Sequence, residues 1–344
     1  MRMAPQTEEE LDELASEPDR GVVATVERIE GDIVVAGAGG KMGYHLSLML
    51  RRSLDILGWS NRVIAVSRFG EDSVRARFES RSIKTISADL TDPEAVANLP
   101  DAAALFYLAG RKFGTSDDPE SLRLFNEVMP ALVADRYSGA NLVALSTGCV
   151  YPFVEPSSGG STEEDTTAPV GGYALSCLGR ERAFLRSSEE HHSPLSLIRL
   201  NYSVDLRYGV LVDLALKVKH GEAVDLTTGW FNCIWQGDAV AHTIRSLDEV
   251  SPAPDACLMN VTGARILSVR EVAEQFGQRF DLPVSFTGVP ADTAWLNNAR
   301  KSHRLFGPPA IPESVLIDWV ADWIERGGAI LGKSTNFEVR SGDF

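Results

Sequence analysis

Residues 31–52 read GDIVVAGAGGKMGYHLSLMLRR, with Gly37, Gly40 and Gly43 at three-residue spacing. The apolar run Ile33–Ala36 precedes the glycines, and a helical pattern over His45–Arg52 follows them. A short apolar run suits a parallel strand buried on both faces. Glycines between such a strand and a helix permit a tight turn and close backbone approach to a pyrophosphate, which the helix N-terminus attracts. Glycine spacing alone is equally a plain turn. Its place between strand and helix favours the phosphate loop, with Lys41 and Met42 inside it.

Four further strands are predicted in order: RVIAV (62–66), KTISADL (84–90), ALFYLAG (104–110) and NLVALST (141–147). Helical or polar connectors separate them, which predicts an α/β chain with a doubly wound parallel sheet. Ligands of such sheets sit at the carboxyl ends of the strands. Gly37, Ser67, Asp89, Ala109 and Thr147 all fall there and predict one crevice. At the end of the second strand an acid would accept hydrogen bonds from the adenosine ribose; this chain has Ser67 and Arg68. A hydroxyl beside a guanidinium suits a 2′-phosphate. The expected cofactor is therefore NADP ahead of NAD, unless Arg68 is simply a solvated loop arginine.

The chain has 344 residues, 44% of them hydrophobic, and a formal net charge of -15. That charge argues against nucleic-acid and anionic-membrane partners, which need a basic face. No apolar run approaches a membrane span, and the acidic N-terminus is unlike a signal peptide, so a cytoplasmic protein is expected. Cys149, Cys177, Cys233 and Cys257 show no paired spacing and read as reduced, buried thiols; no metal site is expected. Residues 7–30 open with TEEE, a capping box with Thr7 as N-cap and Glu10 reaching back, and read as a helical surface or subunit-contact appendage (1–30).

From residue 31 to about 330 the chain resembles the extended short-chain dehydrogenases, the NAD-dependent epimerase/dehydratase family. The motifs stand in family order: G-x-x-G-x-x-G at Gly37–Gly43, ADL at Ala88–Leu90, LAG at Leu108–Gly110, Asn126, STGCVY at Ser146–Tyr151, YALSC at Tyr173–Cys177, IRLN at Ile198–Asn201, IWQGDAVA at Ile234–Ala241 and MNVTG at Met259–Gly263. The resemblance implies a Rossmann-type dinucleotide-binding domain over 31–200 plus about 234–261. It also implies a smaller, discontinuous substrate-binding lobe from about 201–233 and 262–332, and a homodimer. Residues 333–344 read as a mobile tail.

By resemblance, Thr147 hydrogen-bonds the reacting substrate oxygen, and Tyr173 passes a proton to or from it as hydride moves. Asp89 and Leu90 flank the adenine, Leu108, Ala109 and Gly110 contact the cofactor ribose, and Asn201 lies by cofactor and substrate. Read without the family, Thr147 is a strand-end hydroxyl and Tyr173 a helix-start aromatic. The family's lysine, four residues after the tyrosine, is here Cys177. A neutral thiol neither lowers the tyrosine pKa nor binds the ribose well, and losing the cation costs the tyrosinate roughly two pKa units. Two replacements are visible. Lys112 follows Gly110, in a loop resembling one that carries a lysine in nucleotide-sugar epimerases of the family, and is preferred. Arg180 lies seven residues after Tyr173, on the same helix face. A nucleophilic Cys177 lacks a nearby histidine partner in sequence.

Gly148 and Cys149 stand where the family's dehydratases carry Asp-Glu, which disfavours a 4,6-dehydratase. No cation lies between Gly229 and Trp235, where nucleotide-sugar enzymes hold the diphosphate. The expected substrate is a small sugar, sugar acid or polyol, with Asn201, Tyr202, Trp230 and Asn232 as pocket candidates beside Thr147, Gly148 and Cys149. The expectation is thus an NAD(P)-dependent oxidoreductase or epimerase acting on a secondary alcohol. The alternative is a cofactor-binding sensor or scaffold that kept the fold and lost turnover, as the absent lysine permits.

Overall fold

A computed structural model describes residues 3–110 and 118–342. Seven strands form the central sheet: β1 Ile33–Ala36, β2 Val63–Ser67, β3 Lys84–Ser87, β4 Ala104–Tyr107, β5 Asn141–Thr147, β6 Leu195–Leu200 and β7 Cys257–Val261. Their spatial order is β7-β6-β5-β4-β1-β2-β3, and every pairing is parallel. β1 lies between β2 and β4, in register Ile33 with Val63 on one side and with Ala104 on the other. The winding reverses at β1, so a crevice opens at the carboxyl ends of β1 and β4.

Alternate β1 residues feed separate cores. Ile33 and Val35 join the one under helix Gly43–Leu57, and Val34 and Ala36 join the other. The runs predicted as strands over 84–90 and 104–110 leave the sheet after Ser87 and Tyr107. Their last residues are thereby free to face the crevice.

A third core lies outside the sheet. It joins Val204–Val224, Phe231–Trp235, helix Val269–Phe280 and helix Glu313–Glu325, including Trp319 and Trp323. Both chain ends contribute to it, against expectation. Leu11 and Ala15 of helix Glu8–Ala15 are fully buried there, and Val22 and Val26 of helix Arg20–Val26 pack under the sheet. Asp12 ties the first helix down: it pairs with Arg77 and Arg207, and its Oδ1 lies 2.8 Å from His45 Nε2. Residues 7–26 are thus a structural part of the body, and not a surface appendage. Thr7 Oγ1 accepts from the Glu10 amide as predicted, but the Glu10 carboxylate accepts from the Gln6 amide.

The tail also differs from the mobile segment expected. Phe337 is 2% exposed in this third core, and Thr335 gives two hydrogen bonds to Asp213. Arg340 donates to the carbonyl and hydroxyl oxygens of Thr293 and lies over the Phe153 ring. An apolar ring and satisfied donors anchor it where the sequence shows a mostly polar stretch.

Candidate active site

The glycine turn is built for close packing. A Cβ on Gly37, at φ +84°, would lie 2.4 Å from the Ala109 amide nitrogen, and one on Gly43 would lie 2.2 Å from the Ala38 carbonyl oxygen. Only glycine permits these approaches. They bring the ends of β1 and β4 together at the N-terminus of helix Gly43–Leu57, which no side chain caps. A cleft of about 270 Å³ opens there. Its walls include Gly37, Gly40, Ser67, Arg68, Asp89, Leu90, Leu108, Ala109 and Gly110, all named from the sequence, and Phe125 and Met129, which were not.

The donor set fits a dinucleotide: uncapped helix amides for pyrophosphate, Ser67 and Arg68 at the ribose end, and Leu90 as an apolar wall. Hydrogen bonds from the Thr91 amide and hydroxyl lower the Asp89 pKa most, with Arg68 adding to the effect. Arg68 itself is exposed and stands near the Phe125 ring, 5.7 Å from its centroid. Lys41 faces elsewhere. Its ammonium lies over the Tyr208 ring, on a second cleft with Arg77, Arg207 and Lys333. Met42 begins the helix and packs on the sheet core.

Beside the first cleft, Thr147 ends β5 and its hydroxyl accepts from the Cys149 amide, capping the turn Gly148–Val150. That turn packs on helix Gly171–His191: Cys149 meets Ala174, and Val150 meets Cys177, with Tyr173 alongside. Tyr173, Cys177 and Arg180 follow at four- and seven-residue spacing, which puts them on one helix face. Burial pushes the Tyr173 pKa well above that of an ordinary phenol; Cys177 and Cys149 add to the rise, and Arg180 opposes it. Cys177 is fully buried.

Arg180 is 6% exposed and faces no carboxylate in a salt bridge among the described residues. Its guanidinium donates to the Leu145 carbonyl at 2.9 Å and to Asn126 Oδ1 at 2.5 Å. A Cβ on Gly110 would come within 2.2 Å of its Nη2, so the charge abuts the strand end that lines the cleft. Arg180 is thus neither a solvated helix arginine nor one held in an ion pair with an acid among the described residues. Lys112 lies outside the described residues.

The substrate candidates divide. Asn201 Nδ2 donates to Asn232 Oδ1 at 2.8 Å, and Asn232 Nδ2 donates to the Asn297 carbonyl at 2.6 Å. The Asn297 carboxamide in turn rests on Gly148. Tyr202 has φ +40°, and burial, with Cys149 next, pushes its hydroxyl pKa up. Trp230 instead pairs with Ser268 in a two-residue ladder, with no contact to the Tyr173 helix that the structure records. Asn297, Trp295 (stacked on Phe153 at 4.3 Å) and Arg340 were not found from sequence. They come from 290–342, where no motif marks them.

The family described as NAD dependent epimerase/dehydratase family matches residues 33–207. Solved structures of similar fold include MoeE5 in complex with UDP-glucuronic acid and NAD, at 20% identity, covering 86% of this chain and 100% of that one, with TM-score 0.69. UDP-glucuronic acid 4-epimerase from Bacillus cereus, in complex with UDP-glucuronic acid and NAD, matches at 15% identity, 86% and 99% coverage and TM-score 0.69. A UDP-galactose 4-epimerase matches at 20% identity, 86% and 99% coverage and TM-score 0.67. At these identities the likeness is one of fold. No curated protein sequence matches the chain. No helix among the described residues is long and apolar enough to cross a membrane.

Proposed function

Because the chain belongs to the NAD dependent epimerase/dehydratase family, we propose that it catalyses NAD(P)-dependent epimerisation or dehydrogenation at a secondary alcohol of a sugar-like substrate, with Tyr173 as acid and base. One observation carries this reading: Tyr173, the turn after Thr147 and the buried Arg180 meet at the ends of β4 and β5, beside the glycine-lined cleft. The bound dinucleotide would supply the hydride acceptor and donor.

The protein's own groups handle the proton. Thr147 uses one lone pair for the Cys149 amide, leaving its O–H to donate to the substrate oxygen. Burial holds Tyr173 as a neutral phenol, fit to protonate a forming alkoxide. Removing a proton from the alcohol needs the tyrosinate, and Arg180 is the cation among the described residues that stabilises it. Arg180 thus takes the part first given to Lys112, whose place after Gly110 still suits a ribose or phosphate contact.

The substrate reading remains a small sugar, sugar acid or polyol, supported by the amide row of Asn201, Asn232 and Asn297. A second reading, a nucleotide sugar, is favoured by the UDP-sugars in the similar structures and by Arg340, a partly buried guanidinium beside Phe153. A homodimer through segment 119–136 and helix Gly171–His191 is supported by the exposed Leu124 and Leu175. NADP ahead of NAD rests on Ser67 and Arg68. The test is turnover of UDP-sugars and free sugar acids with NAD and NADP, followed by nicotinamide absorbance and by NMR of the product. Failure of every substrate, with cofactor binding intact, would favour the sensor or scaffold.

A further inference from the structure

Asn297 is 2% exposed, and neither Oδ1 nor Nδ2 of its side chain has a hydrogen-bond partner among the described residues. A buried polar group left without a partner bears the full cost of its lost hydration. A carboxamide with both ends orphaned is therefore a poor choice for packing alone.

Its position is fixed from both sides. The Asn297 carbonyl accepts from Asn232 Nδ2, and its amide donates to Asn232 Oδ1 at 3.4 Å. The flanking residues exchange backbone hydrogen bonds with Ser161, from the Ser161 amide to the Leu296 carbonyl and from the Asn298 amide to the Ser161 carbonyl, each 2.8 Å. A backbone held this firmly presents one side chain, and that side chain lies against Gly148. A Cβ on Gly148 would be 2.5 Å from Asn297 Oδ1 and 2.7 Å from Nδ2. The orphan amide thus occupies the space that glycine leaves in the residue directly after Thr147.

We propose that the Asn297 carboxamide binds the substrate directly, donating from Nδ2 to one oxygen and accepting at Oδ1 from a neighbouring hydroxyl. A group that offers one donor and one acceptor side by side matches a vicinal diol, as in a sugar ring or polyol. This inference rests on the reading of Thr147 and Tyr173 as the reacting corner, and it assigns that corner its specificity for a hydroxyl next to the reacting carbon. Gly148 is then required for the amide to reach its place.

The test is Asn297→Leu, which keeps the shape and removes both polar atoms. In the free protein the denaturation midpoint should hold or rise, since the orphaned groups are gone. With a substrate that the wild type turns over, drawn from UDP-glucuronic acid, UDP-glucose and free glucuronic acid, kcat/KM should fall by roughly ten-fold or more, mainly through KM, at unchanged dinucleotide affinity. Gly148→Ala should give the same kinetic defect. A midpoint that falls in Asn297→Leu, or an unchanged kcat/KM, overturns the proposal. The free-protein midpoint needs no turnover, and calorimetric binding of the same three compounds to Asn297→Leu needs none either. Binding lost in Asn297→Leu while Tyr173→Phe keeps full turnover would therefore sink Tyr173 as acid and base and leave Asn297 standing as a substrate contact.

Discussion

Arg180 stands two helical turns beyond Tyr173 on the same buried helix face, its guanidinium braced between the Leu145 carbonyl, Asn126 and the α-carbon of Gly110. Seven residues of helix span about 10 Å, and helical side chains lean toward the N-terminus, so an arginine reaches back over much of that distance. On the proposed reading, the cation that the sequence lacks at position 177 is supplied from position 180.

Arg180→Gln should therefore move the tyrosine limb of the pH–rate profile up by about one unit or more, because a positive charge no longer favours the tyrosinate. Arg180→Lys should leave the limb nearly in place while losing stability, since it keeps the charge and loses the fork. Lys112→Met is the control. A limb that moves in Lys112→Met and not in Arg180→Gln would restore the lysine to the role.

Tyr173→Phe should lower kcat by roughly a hundred-fold or more and leave dinucleotide affinity within a few fold. The cleft's walls are glycines and strand ends, and Tyr173 is not among them. Stopped turnover with calorimetric binding intact is the expected pair of results. Unchanged turnover would remove Tyr173 from the chemistry.

Arg68→Ala should cost affinity for NADP more than for NAD, by roughly ten-fold, because only NADP carries a 2′-phosphate for the guanidinium. Asp89, whose pKa Arg68 helps to lower, should moderate such a preference without cancelling it. Calorimetric titration of both dinucleotides decides it, and equal losses would leave Arg68 without a selective part.

His242 gives the protein an acid sensitivity. Burial first, then His303 and Arg245, hold its pKa down to about 3, whereas the unfolded chain protonates near 6.5. Below about pH 6.5 the unfolded state binds a proton that the folded state refuses, so stability falls as pH drops toward 3, by up to about 1.4 kcal/mol per unit. His242→Phe, which keeps a ring against His303 and Phe306, should flatten that slope. Urea midpoints at pH 7 and 5 would read it.

The sheet was legible because its signals are local. Ile33–Ala36 is a continuous apolar run, and Gly37, Gly40 and Gly43 are fixed by contacts only glycine allows. The lining of the glycine-rich cleft followed, since strand ends converge wherever strands run parallel. The corner around Thr147 and Gly148 did not. Asn297 reaches Gly148 across nearly half the chain, and Arg340 reaches Phe153 from the tail. No periodicity records such approaches. Arg180 lay between these cases: its helix spacing was visible, but only burial against Asn126 and Leu145 separates it from a solvated arginine.

The place of β7 at the edge of the sheet has a consequence for how the protein is made. β6 ends at Leu200, and the strand that covers its free edge begins only at Cys257. A ribosome adding about 5–20 residues per second needs on the order of three to ten seconds to deliver the intervening segment 201–256. Throughout that interval Leu195–Leu200 presents unmatched amides and carbonyls to any passing strand. A nascent chain stalled inside that window, or a fragment cut off after residue 200, carries the same open edge and is expected to aggregate through it.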